Sequence, residues 1–175
     1  MKTCAFLLGL MFPLAVLSAD PILPNSKLTP GDVVTNVTIE VIMTHGYTAS
    51  LIDKDGHITK DKKKGTKVRN VSAKEDRAVF VRYGITRVPG RHEDDHLISL
   101  ELGGSNSISN LWPQSYLTPK WNAHTKDRLE NFMARNVRKE LEVNGHDAAV
   151  KLLKQYQTDI ARNWTNAYVK LLGKP

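Results

Sequence analysis

The chain has 175 residues, 41% of them hydrophobic, and a formal charge of +7. That is enough apolar material for one domain with a buried core, and its one cysteine, Cys4, excludes an internal disulfide. The basic balance favours polyanions such as nucleic acid but decides no function by itself.

Residues 1–19 read as a secretory signal peptide: Lys2, an apolar run from Ala5 to Leu17 broken by Pro13, then small residues ending at Ala19. The run is short for a membrane span, and no later stretch approaches ~20 continuous apolar residues. The expectation is a secreted or periplasmic protein of about +6, without Cys4 and without stable membrane association once the leader is removed. Residues 20–32 are Pro-rich and polar, so they predict a linker laid over the surface or left mobile, ahead of a single domain over residues 33–175.

From Val33 to Met43 the sequence VVTNVTIEVIM predicts a strand or two; His45-Gly46 marks a turn and Asp55-Gly56 a hairpin. The run KDKKKGTKVR over residues 60–69 has two readings. Its lysines gather phosphates without sequence choice, or they are a solvated loop. Ser72-Ala-Lys-Glu75 spells a capping box, predicting a helix from Ala73 to about Tyr83 with Gly84 as its stop. Pro89-Gly90 then turns the chain into residues 91–130, RHEDDHLISLELGGSNSISNLWPQSYLTPKWNAHTKDRLE, where the chemistry concentrates.

Two patterns overlap there. His92-Glu-Asp-Asp-His96 spells H-E-x-x-H, which on a helix sets two histidines around zinc with Glu93 as the base of a metalloprotease. Gly103-Gly104 would end such a helix after three turns, and no third ligand is selected. Read from Asp95, the same residues give Asp-His, an apolar run, Gly-Gly, a polar loop, Asn110-Leu-Trp-Pro-Gln114, then a helix with Asn122. This second pattern resembles the HNH, or ββα-metal (His-Me finger), nuclease motif. DHLISLELGG, NLWPQ and WNAHTKDRLE together are similar to a family of small secreted bacterial proteins with an HNH-like domain, and LTPG, VRNVSAKEDRAVFVRYGI and NWTNAY extend the likeness over most of the chain. The spacing of Asn110, Pro113, Gln114, Asn122 and Leu129-Glu130 is also similar to that of non-specific DNA/RNA nucleases.

The resemblance implies an α+β fold: a ββα-metal core over residues 91–142, with N-terminal strands and added helices. It implies His96 as general base, Asn110 as the residue tying the loop between the two strands, and Asp95 with Asn122 as ligands of one divalent cation. Mg²⁺ suits those oxygen donors, Mn²⁺ being the alternative. Relatives of this pattern often carry a cysteine pair where Met43 and the Val137-Arg138 region fall here. From spacing alone, Asn122, Lys126 and Glu130 form one helical stripe, i, i+4, i+8. Glu130 then supports the ion from behind, Lys126 pairs with Glu130 or touches phosphate, and Arg91 and Arg128 contact phosphate. The implied partner is DNA, or RNA. A zinc protease and an inactive nucleic-acid-binding module are the alternatives, separated by Glu93, Asn122 and His96.

Beyond Gly145, a helix stop, Asp147 is placed to cap a last helix in which Leu153, Tyr156, Ile160, Trp164 and Tyr168 form one packed face.

Overall fold

The computed structural model describes residues 20–175; the expected signal peptide and Cys4 lie outside the described residues. The fold is mixed α+β. In chain order come α1 (Ile39–Ile42), β1 (Leu51–Ile52), β2 (Ile58–Thr59), β3 (Thr66–Lys67), α2 (Ala73–Tyr83), β4 (His92–His96), β5 (Leu111–Ser115), α3 (Ala123–Asn144) and α4 (His146–Leu172). A small antiparallel sheet has the order β2-β1-β3, and β4 pairs antiparallel with β5.

The strand expected over residues 33–43 is not there: Val33 makes one isolated bridge to Gly104, and Ile39–Ile42 is a helical turn. Its β-branched residues favour a strand only where a pleated partner is offered. Here Ile39, Ile42 and Met43 go into the core at three- and four-residue steps, against α4. The N-terminal strands form instead in residues 51–67, where Asp55 and Gly56 turn β1 into β2 as the sequence predicts. Gly56 is required there, since its φ is +84° and a Cβ would stand 1.8 Å from the Asn36 carbonyl oxygen.

Residues 20–32 are laid over the body by specific bonds. The Trp164 indole donates to the Ile22 carbonyl (2.9 Å), and the fully buried Thr29 hydroxyl donates to the Leu111 carbonyl (2.8 Å). Helix α2 starts and stops as its sequence dictates, with the Ser72–Glu75 capping box closed in both directions and Gly84 left-handed at its end.

The β4–β5 hairpin frames the site. His92 pairs with Ser115 and His96 with Leu111, and a 14-residue connection, residues 97–110, crosses between them. Leu97, Ile98, Leu100 and Leu102 of that connection are all buried, anchoring the hairpin in the core. The chain then enters α3, whose Leu129, Met133 and Val137 pack with Leu153, Ile160 and Trp164 of α4. Trp121 meets Trp164 and Tyr168 edge-on, so it is a packing residue. Gly145, at φ +81°, is the whole link between the two helices and occupies the cap position of α4, so Asp147 lies in the first turn and not at the cap. Asn163 interrupts α4 with extended backbone and restarts it, its Oδ1 accepting from the Asn166 amide (2.9 Å). Arg138 Nε donates to the Met43 carbonyl (2.9 Å), a polar tether between α3 and the end of α1.

Candidate functional site

Along β4, Asp95 reaches α3 through Lys126, and Glu93, Asp95 and His96 line one cleft, while His92 and Asp94 border another concavity. His96 ends the strand and is 1% exposed. Its Nε2 lies 3.1 Å from Asn106 Oδ1. The orientation of that amide is fixed independently: Asn106 Nδ2 donates to the Val68 carbonyl (2.7 Å), and Oδ1 accepts the Asn70 amide (3.2 Å). An acceptor therefore faces Nε2, which must carry the proton, leaving Nδ1 with its lone pair. Nδ1 has no hydrogen-bond partner among the described residues and is screened from solvent in this conformation. Burial pushes the His96 pKa down to about 4, outweighing the Asn106 bond and the Asp95 charge, so the ring is neutral at ordinary pH.

Asn110 holds the connection that carries Asn106. Its Oδ1 accepts the Ile98 amide (2.9 Å) and its Nδ2 donates to the Ile98 and Ser105 carbonyls (both 2.9 Å). Gly104 lets the loop close this tightly, since a Cβ there would lie 1.7 Å from the Ile98 oxygen.

Lys126 rises from α3 beneath the strand and is fully buried. Its ammonium donates to Asp95 Oδ2 (2.7 Å), to the His96 carbonyl (2.7 Å) and to Glu130 Oε1. Burial alone would strip its proton, but the charges of Asp95 and Glu130 and the bonds to them outweigh it and raise the pKa above that of an ordinary lysine. Burial pushes the Glu130 carboxyl up, against the pull of Lys126.

These groups border a cleft of about 340 Å³ lined by Glu93, Asp95, His96, Glu101, Asp127 and Glu130, with Arg69 at the rim. Burial and then the charge of Asp95 raise the pKa values of both Glu93 and Asp127. Tyr116 steadies Glu93 with a 2.6 Å hydrogen bond. Burial, then Asp76 and Asp95, lift Asp94 on the far face to about 7. The cleft thus carries more carboxylates than the Lys126 ammonium can neutralise, a setting that favours a hard cation.

Of the expected residues, the structure brings Asp95, His96, Lys126 and Glu130 together, with Asn110 behind them. Asn122 is not among the lining residues. It is the N-cap of α3, its Oδ1 accepting from the Thr125 amide (3.1 Å) and hydroxyl (3.3 Å), and its Nδ2 donating to the Thr118 carbonyl (3.2 Å). The amide expected to pair with Asp95 as a ligand is engaged at the helix terminus in this structure. Arg91 is tied to Asp20 (3.2 Å), and Arg128 lies over the Tyr168 ring (5.8 Å to its centroid) and donates to Thr125; neither lines the cleft. Carboxylates are the donors that fit a hard divalent ion here, namely Asp95 with Glu93 and Asp127. Among the described residues no three His, Cys, Asp or Glu converge closely enough to enclose one unaided.

Sequence reasoning missed Asn106, Arg69, Asp127 and Tyr116, and weighed Glu93 only as a protease base. Asp127 directly follows Lys126, so a stripe drawn one residue wider would have included it. Asn106 sits in a Ser/Asn-rich loop that gives no signal of which amide meets the histidine. The H-E-x-x-H residues form a strand, so its two histidines lie ~13 Å apart along the chain and not one helical turn. His92 is engaged elsewhere, its Nε2 donating to Asp20 (2.9 Å).

No family model matches the chain, and the searches of curated proteins and of solved structures find no match to it either.

Proposed function

We propose that the chain is a secreted or periplasmic endonuclease that hydrolyses phosphodiester bonds of DNA, with RNA as a second substrate, with low sequence specificity and dependence on a divalent cation such as Mg²⁺. One observation carries this reading: a neutral histidine, held by Asn106 with its Nδ1 lone pair uncommitted, stands beside Asp95 in an acidic cleft at the head of a strand–loop–strand–helix unit. The likeness of DHLISLELGG, NLWPQ and WNAHTKDRLE to HNH-like nucleases supports it.

In this mechanism a movement of the cleft wall opens Nδ1 to a water molecule. The water oxygen attacks phosphorus as Nδ1 takes its proton, the bond to the leaving sugar oxygen breaks, and that oxygen is protonated from solvent. The imidazolium formed is stabilised by the adjacent Asp95 carboxylate and by the Nε2–H bond to Asn106. Arg69, exposed and without an ion pair among the described residues, meets the phosphate. Lys126 holds Asp95 in place and Glu130 holds Lys126. Asp95, Glu93 and Asp127 would hold the cation, which when bound supplies neutralisation of charge growing on the phosphate.

Purified protein is incubated with supercoiled plasmid and Mg²⁺, with EDTA, and as the His96→Ala variant. Nicking that requires the metal and disappears in the variant is the expected result. Absence of cleavage with Mg²⁺, Mn²⁺ and Zn²⁺ alike overturns the proposal. DNA binding that persists in His96→Ala without any turnover by the wild type would identify a binding module.

A further inference from the structure

A second concavity of about 330 Å³ lies on the other side of Asn106 from the catalytic cleft. Its walls come from Val34, Val37, Ile52, Val68 and Leu100, and Tyr47 contributes to them. The Tyr47 ring is packed in the wall, 4% of the residue being exposed, and its hydroxyl has no hydrogen-bond partner among the described residues. That oxygen is open to the cavity and so offers one hydrogen bond to an occupant from an otherwise apolar wall. Around the rim stand Lys54, Lys64 and Lys67. The single acid in the lining, Asp53, is committed to its own turn, its Oδ1 accepting from the Asp55 (3.0 Å) and His57 (2.9 Å) amides. Lys54 and Lys64 make only exposed pairs with Asp55 (2.9 Å) and Asp61 (4.0 Å), which a phosphate displaces at little cost.

An apolar slot with a few polar groups inside and cations outside matches a heteroaromatic base with its phosphate. The volume lies at the small end of the ~300–1,000 Å³ typical of ligand sites, room for one base with its sugar. The cavity adjoins the site, Leu100 lining both. Thr66, Lys67 and Val68 line the cavity, and the next residue, Arg69, lines the cleft. Asn106 lines the cavity and holds His96.

We infer that this cavity receives one unpaired nucleobase next to the cleavage position, with the adjoining phosphate on Lys54, Lys64 and Lys67, so that the substrate is single-stranded or locally unpaired nucleic acid. The inference rests on the nuclease reading for its substrate class. A base within a stacked pair cannot enter a concave slot without leaving the stack, and unpaired strands avoid that penalty.

The test measures binding separately from cutting. Fluorescence anisotropy follows a fluorescein-labelled eight-nucleotide oligo-dT and a labelled hairpin duplex with an eight-base-pair stem, each titrated with the His96→Ala protein in EDTA. Single strand binding at least tenfold tighter than duplex is expected. Val37→Trp, which fills the slot, and Lys67→Glu, an exposed change that leaves the core intact, should each weaken oligo-dT binding at least tenfold and leave the duplex value unchanged. Equal affinity for the two probes overturns the inference. So does selectivity retained in both variants, with thermal melts showing them folded. Cleavage of single strands at the wild-type rate by Val37→Trp and Lys67→Glu, each made in the protein that keeps His96, refutes this inference and leaves the nuclease reading standing. Cavity-dependent binding by a protein that cuts nothing refutes the nuclease reading and leaves the cavity as a site for an unpaired base.

Discussion

His96 has its proton position set by an amide ten residues along the chain, and that amide is set by the backbone of residues 68 and 70. With a pKa near 4, the ring should be neutral at pH 6, where an ordinary histidine is largely charged. Side-chain ¹⁵N NMR at pH 6 should show protonated Nε2 and unprotonated Nδ1; two protonated nitrogens would contradict the arrangement. His96→Ala should lower kcat/KM by ~10²–10⁴-fold, the usual contribution of a general base. Lys126 is the other residue whose neighbours decide its character. Lys126→Ala leaves Asp95 and Glu130 without their counter-charge and should destabilise the fold by ~3–5 kcal/mol in urea denaturation. Pairing Lys126→Met with Glu130→Leu should recover part of that loss, since one of the stranded acids is then gone.

At the scale of elements, the start of α3 separates two roles for Asn122. As a cap it is worth ~1 kcal/mol, so Asn122→Ala should lower stability by that amount while Asn122→Ser retains most of it. If Asn122→Ser also keeps full Mg²⁺-dependent activity, the amide does not hold the cation; loss of activity in a fully stable Ser variant would return it to the metal site. The contact of α1 with the start of α4 gives a pH-dependent test. The bond to His146 holds Glu40 down at about 2, and the same bond raises His146. The Glu40 contribution is complete above its ordinary 4.5 and fades as pH falls toward 2. That of His146 is complete below its ordinary 6.5 and fades as pH rises through its raised value. The pair therefore acts most between those two ordinary values, and Glu40→Gln should lower the melting temperature more at pH 5.5 than at pH 9. The shift should be small, since both side chains are more than half exposed.

For the molecule as a whole, the N-terminal segment is part of the body and not a dispensable linker. Thr29 is buried against Leu111 and Tyr83, and Ile22 accepts from Trp164. A protein beginning at Val33 should melt several degrees lower than one beginning at Asp20; an unchanged melting temperature would show these bonds to be idle. The formal +7 charge of the full sequence belongs to the same scale. Binding to nucleic acid through the lysine rim should weaken steeply between 50 and 200 mM salt, with a log–log slope of about −0.7 for each phosphate neutralised on a single strand. No described helix is long and apolar enough to cross a membrane.

Sequence alone determined the elements whose signals are local: the Ser72–Glu75 box and Gly84 bounding α2, the Asp55–Gly56 turn, and the apolar faces of α3 and α4. Through the resemblance and a helical stripe it also marked Asp95, His96, Asn110, Asn122, Lys126 and Glu130 as one group, of which Asn122 is found at the end of α3 and not in the lining of the cleft. Tertiary structure decided what depends on partners distant in sequence. The β-branched run of residues 33–43 became a helical turn because the core offered it a helix to pack on and no strand to pair with. Asn122 completed a helix end, a requirement that only α3's exact start creates. Asn106 became the partner of His96 because residues 68–70 pass beside the loop, and burial there, invisible in the spacing, is what makes that histidine neutral.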